Sequence, residues 1–141
     1  MDLIKLLRNI RQGRMQKLLC LATALSAPPL AFEIYLEHYK GSFGDRWMWT
    51  PIVLTPPLTA AGIAGLYSER VAKRWLPLFG TLYALDGLVG IVTHVQGVRK
   101  KPGGFSEPTY NLVMGPPLLA PGSLTMIGAF GIVAALVRRE R

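Results

Sequence analysis

Four apolar stretches, each close to the length of a bilayer crossing and each bounded by charged residues, limit what this chain can become. They cover residues 17–38, 51–67, 75–98 and 111–137. A membrane-spanning helix needs roughly 20 mostly apolar residues. Inside lipid every backbone N–H and C=O must be satisfied by the chain itself, which favours helices. A soluble domain would devote about a quarter of its residues to charge; here 17% of 141 are charged and half are hydrophobic. The sequence therefore predicts an all-α, integral membrane four-helix bundle. Its spans would be joined by outer loops at 39–50 and 99–110 and a tight inner turn at 68–74.

A second feature is duplication. The run Val53-Leu54-Thr55-Pro56-Pro57-Leu58-Thr59-Ala60-Ala61-Gly62 returns as Val113-Met114-Gly115-Pro116-Pro117-Leu118-Leu119-Ala120-Pro121-Gly122, sharing V-x-x-P-P-L-x-A-x-G. Upstream of each copy stands one of the two histidines, His38 and His94, each opening an H-x-x-G. The pattern predicts a repeated helix–loop–helix unit. Because two spans return the chain to its starting side, the two hairpin repeats would be parallel.

Charge sets the expected orientation. Lys5, Arg8, Arg11, Arg14, Lys17, Arg70, Lys73, Arg74, Arg138, Arg139 and Arg141 fall on one side; Lys40, Arg46, Arg99, Lys100 and Lys101 fall on the other. The excess places both termini in the cytoplasm, in what is expected to be a bacterial inner membrane. The net charge of +8 flanks apolar runs and forms no aromatic-interleaved patch, which argues against nucleic acid. Residues 1–16 alternate Leu3, Ile4, Leu6, Leu7 and Ile10 with basic residues, the pattern of a short amphipathic helix on the cytoplasmic membrane surface. A cleaved signal peptide is the competing reading of this end. Pro28 beside the best cleavage point argues for a retained span, so the transmembrane domain is taken as 17–141. Cys20, the single cysteine, excludes an internal disulfide, a covalent c-type haem and a cysteine-ligated cluster.

Few residues can carry chemistry. His38 and His94 sit at the outer ends of repeat-related spans, where two neutral imidazoles can face one haem b iron. In that reading Gly87, Gly90 and Gly97 give room for the macrocycle, and Arg99, Lys100 and Lys101 meet its propionates or, without haem, an anionic headgroup. Asp86 lies near the middle of the third span, where an ionised carboxylate costs at least ~2.5 kcal/mol on insertion scales. It is expected to face protein, and to be protonated or hydrogen-bonded to Tyr83, Thr81 or a hydroxyl such as Ser26 or Thr125. Glu33 and Glu37 share a helix face near the outer end, with Lys40, Arg46 or Lys100 to offset their repulsion. Pro28, Pro29, Pro56, Pro57, Pro116 and Pro117 are expected to kink the spans that hold them.

No nucleophile–base arrangement, phosphate loop or zinc motif is present, and no metal beyond a haem iron is implied. The expected role is a structural or docking subunit of a larger membrane assembly, or a homo-oligomer, rather than an enzyme in its own right. The alternatives are an electron-transfer subunit of the cytochrome b type, using His38 and His94, a quinone- or lipid-binding subunit, and a proton or solute pathway through Asp86.

Overall fold

The computed structural model describes Ile4, Lys5, Arg8 and residues 14–139. Most of the amphipathic segment expected over 1–16 lies outside those residues. Among them the regular elements are helices: α1 (Arg14–Lys40), α2 (Thr50–Tyr67), α3 (Glu69–Arg99), α4 (Pro108–Val113) and α5 (Leu119–Leu136). Two short 3₁₀ turns, Arg46–Trp49 and Gly104–Ser106, lie in the loops.

Three of these helices, α1, α3 and α5, are long and apolar enough to cross a membrane. At 1.5 Å per residue α1 is about 40 Å long, well beyond the roughly 30 Å of a hydrocarbon core. Helix α2 has 18 residues and no charged side chain, but with three prolines and three threonines it is not among these three.

Helix α1 packs against α2 and α5, and α3 packs against the same two. Gly62 and Gly65, late in α2, meet Cys20 and Ala24, early in α1, so these two helices run antiparallel. Gly97 meets Pro116 at one end of the α3–α5 pair, and Gly80 meets Gly131 at the other, so this pair is antiparallel too. The loops 41–49 and 100–118 therefore share one end of the molecule, hereafter the outer end. Ser68 and Arg139 share the other.

The helix faces follow from spacing. Gln16, Cys20, Thr23, Ala24, Ala27, Ala31 and Ile34 form the buried side of α1, at the three- and four-residue intervals of an amphipathic helix. The opposite side carries Leu18, Leu25 and Phe32, seven residues apart and exposed; Leu119, Met126 and Val133 repeat this on α5. The core is made of small or aliphatic side chains around Tyr83, with Leu58, Leu76, Leu124 and Ile127 its larger members.

The helices depart from the expected spans in two places. The inner turn is Ser68 alone, and 69–74 are helical. Ser68 caps α3, its hydroxyl accepting from the Val71 amide at 3.4 Å, with Glu69 in the first turn. An N-cap serine and a first-turn acid begin a helix wherever they fall, so charges that suggested a loop became helix surface. The expected fourth span, 111–137, is broken. Helix α4 stops at Val113, residues 114–118 are not helical, and α5 begins at Leu119. Pro116 and Pro117 therefore do not kink a helix; they lie in the link before one.

The cause is local. Pro116 disfavours the helical region for Gly115, and neither proline offers an amide hydrogen. A Cβ at Gly115 would overlap the carbonyl oxygen of Asn111. By contrast Pro56 and Pro57 lie inside α2, as Pro28 and Pro29 lie inside α1. There the residue before the pair is Thr55, whose hydroxyl donates to the Pro51 carbonyl at 2.7 Å. The two copies of the proline pattern thus have different backbones.

Candidate functional site

Helices α1 and α3 deliver both histidines to the outer end. His38, in the last turn of α1, is 2.8 Å through Nδ1 from the carbonyl oxygen of Met48. His94, near the end of α3, makes the same contact with the carbonyl oxygen of Pro117 at 2.7 Å. A carbonyl can only accept, so each Nδ1 carries a hydrogen and donates it, which leaves each Nε2 outside these contacts. Each ring thereby ties the end of one helix to the residues that lead into the next, Met48 before α2 and Pro117 before α5. His38 lies within electrostatic reach of both His94 and Asp86. Among the described residues no three His, Cys, Asp or Glu side chains gather into a metal-ion site.

The glycines of α3 do not leave the slot expected beside these rings. A Cβ at Gly87 would lie 2.6 Å from the Pro121 carbonyl oxygen, one at Gly90 2.8 Å from the Pro121 side chain, and one at Gly97 2.8 Å from Pro116. Those faces of α3 pack against α5 and the proline-bearing link that leads into it.

Asp86 bonds a hydroxyl, but that of Thr50 in place of Tyr83, Thr81, Ser26 or Thr125. Its Oδ1 is 2.5 Å from the hydroxyl of Thr50, the first residue of α2. The expected partners are engaged elsewhere: Tyr83 with Thr55 at 3.0 Å, Thr81 with the Pro77 carbonyl, and Thr125 with the carbonyls of Ala84 and Pro121. Thr50 also contacts the Trp47 carbonyl at 2.7 Å. A hydroxyl has one hydrogen. Thr50 therefore donates to the Asp86 carboxyl or to the Trp47 carbonyl, or shares its hydrogen between the two. The same count on Thr55, which donates to the Pro51 carbonyl, makes the buried Tyr83 hydroxyl the donor to Thr55. Two side chains one turn apart on α3 are thus fastened to the first turns of α2.

Comparison with family models, with curated proteins and with solved structures found no match. What the site can do is therefore read from its own chemistry.

Glu37 pairs with Lys40 on the helix surface, as one of the expected offsets; Glu33 is exposed. The loop after α1 is aromatic. Phe43 stacks on Trp49 with centroids 4.0 Å apart, and Tyr35 and His38 flank Phe43. Ser42 and Phe43 adopt positive φ angles of 55° and 47°. That region costs an L-residue about 1–2 kcal/mol, and an aromatic pair returns about 1 kcal/mol beyond its area, so the stack offsets part of the strain of the bend. Arg99 and Lys100 are exposed beside the other loop, with Lys101 half-buried.

Sequence reasoning missed Asn111. It is 1% exposed, the one buried residue of α4, and its amide donates to the carbonyls of Pro102 and Gly104 at 2.9 and 2.7 Å. An asparagine in an apolar run, between a glycine-rich loop and a proline pair, was the available signal. At the inner end, Gln16 donates to the Ala134 carbonyl at 2.7 Å and Arg139 donates to the Gly65 carbonyl. Both close the chain's terminal segments onto the helices.

Proposed function

We propose that the chain is a four-span integral membrane subunit with both termini in the cytoplasm and a structural role. It would hold partner subunits, or copies of itself, in the bilayer as a four-helix bundle of two hairpins. One observation supports this reading above the others. The polar groups that chemistry would need are engaged in holding the chain's own helices and loops together: His38 with Met48, His94 with Pro117, Asp86 with Thr50, and Tyr83 with Thr55. Exposed apolar stripes on α1 and α5, joined by Val53 and Ile63 on α2 and Leu78, Leu82, Leu85, Val89 and Val92 on α3, support immersion of all four helices in lipid.

The test is the size and topology of the protein in native membranes. After extraction in mild detergent, the particle is expected to migrate well above the 15.5 kDa chain; a lone monomer contradicts the assembly reading. Single cysteines at Gly44 and Ser106 should react with an impermeant maleimide from the outside, and one at Ser68 only after permeabilisation.

A second reading, one haem b between His38 and His94, is favoured by the matching Nδ1 bonds. A histidine that binds a metal through Nε2 commonly donates its other ring hydrogen to a carbonyl. The filled glycine faces of α3 count against it, so the donor groups fit and the expected slot does not. Bound there, a haem would supply one-electron chemistry, and the two Nε2 atoms would hold its iron. Visible absorption decides: a Soret band lost in both His38→Ala and His94→Ala supports haem, and a colourless purified protein removes it.

A further inference from the structure

The link between α3 and α5 presents apolar side chains where a soluble loop would present polar ones. On α4 and just after it, Tyr110 is 65% exposed, Val113 74% and Met114 60%; Leu119, opening α5, is 85% exposed. Tyr110, Val113 and Met114 are spaced by three and one, so they share one face of a short helix. Asn111 points the other way and is held by the loop carbonyls, so the helix cannot roll to hide that face. From Leu119 the exposed surface continues directly into the Met126 and Val133 stripe of α5.

Charge selects what covers the face. Arg99 ends α3, Lys100 caps it and Lys101 follows, and the bend at Gly103 and Gly104 folds the chain back, placing Gly104 against the Arg99 backbone. One acid, Glu107, lies within the loop, its side chain against Gly103. An apolar helical face flanked by clustered cations is the arrangement of an interfacial lipid-binding element, with acyl chains under the apolar face and anionic headgroups at the cations. The other outer loop exposes Trp47 and Arg46, but its Phe43 and Trp49 stack, Lys40 is paired with Glu37, and Asp45 caps the 3₁₀ turn, so it gathers no such cluster of cations beside an apolar helical face.

We propose that Arg99–Leu119 is an interfacial element that seats Tyr110, Val113 and Met114 in the leaflet at the outer end and engages anionic phospholipid headgroups through Arg99, Lys100 and Lys101. This rests on the reading of α3 and α5 as membrane spans, which sets the link at the bilayer boundary.

The test uses the full chain with Cys20→Ala, a single cysteine replacing Val113, and an environment-sensitive fluorophore attached there. The protein is reconstituted in vesicles of phosphatidylcholine mixed with phosphatidylglycerol. Val113 is strongly exposed, so the label should not disturb folding, and Tyr110→Cys serves as a second position. The label should be shielded from aqueous iodide and quenched by shallow spin-labelled lipid. Quenching by spin-labelled phosphatidylglycerol should exceed that by spin-labelled phosphatidylcholine severalfold, and the ratio should fall to about one in R99Q/K100Q/K101Q. A label at Met126, mid-α5, is the control. Iodide quenching at Met126 overturns the membrane reading itself. Iodide quenching at Val113 with Met126 shielded overturns this inference alone. Shielding of Val113 from both quenchers also overturns it, because a protein surface then covers the face. Equal quenching by the two lipids in the parent protein removes the headgroup half of the proposal.

Discussion

The two hairpins, residues 14–67 and 69–136, carry the same sequence signature and build different joints. In the first, the proline pair lies within α2, and the loop before it is a rigid aromatic cluster. In the second, the same pair lies in a non-helical link, and the loop is ordered by one buried asparagine. Their helices also meet at different depths. Along α1–α2, a Cβ on Gly62 would come no nearer than 3.0 Å to Ala24 and Cys20. Along α3–α5, Gly80 and Gly128 put backbone against backbone, and a Cβ at Gly80 would lie 2.7 Å from the Gly128 carbonyl oxygen. The difference teaches that the same short run of residues can sit inside a helix or in the link before one. The residue before Pro-Pro is threonine in the copy that stays helical and glycine in the copy that does not.

The largest effect should separate the two helix contacts. Gly128→Ala drives a methyl group into the Gly80 carbonyl and toward the Ala84 backbone. Backbone cannot rotate away, so the loss should reach about 3 kcal/mol, the upper part of the usual overpacking range. Gly62→Ala meets only tight contacts. The roughly 1 kcal/mol that alanine gains over glycine in a helix offsets much of that, so the net change should stay within about 1 kcal/mol. Thermal unfolding in detergent, followed by size-exclusion, measures both. Equal sensitivity at the two positions would abolish the distinction between the hairpins.

The loops should differ by less. Asn111→Ala leaves the Pro102 and Gly104 carbonyls without their donor and should cost about 2 kcal/mol. Asp45→Ala removes one cap bond, to the Trp47 amide, and should cost about 1 kcal/mol. Hydrogen exchange should rise across 100–107 in the first variant and stay confined to 46–49 in the second. If the Asp45 variant loosens its loop more, the aromatic stack is not what holds it.

How much of this was legible in the residues depends on the range of the cause. The long apolar runs announced helices and a membrane environment, because hydropathy over twenty residues is a property of the run itself. The break at 114–118 was not legible. A proline pair within an apolar run reads the same whether a helix passes through it or stops, and the outcome turned on Gly115 lying against Asn111. Nor was the partner of Asp86. Thr50 is 36 positions away and at the far side of a loop, so only the register between α2 and α3 brings the two together. The histidines were found by pattern. Their hydrogen-bond partners, Met48 and Pro117, are backbone carbonyls, which no side-chain pattern marks.

Those histidines give the smallest expected effect and the sharpest comparison, since here the two hairpins converge. Each ring holds one loop through one Nδ1 hydrogen bond to a carbonyl. A hydrogen bond of this kind contributes about 1 kcal/mol, so His38→Ala and His94→Ala should each cost about that much. If each clamp serves only its own hairpin, the double variant should lose the sum of the two to within about 0.5 kcal/mol. A ligand gripped by both Nε2 atoms would behave otherwise. The first substitution would already release it, and the second would cost little more. The cycle is read from thermal stability in detergent, with the absorption spectrum recorded alongside. Additive losses in a colourless protein assign the imidazoles to the loops. A strongly sub-additive pair would mean that the two hairpins are joined at their outer ends by a shared group rather than held separately.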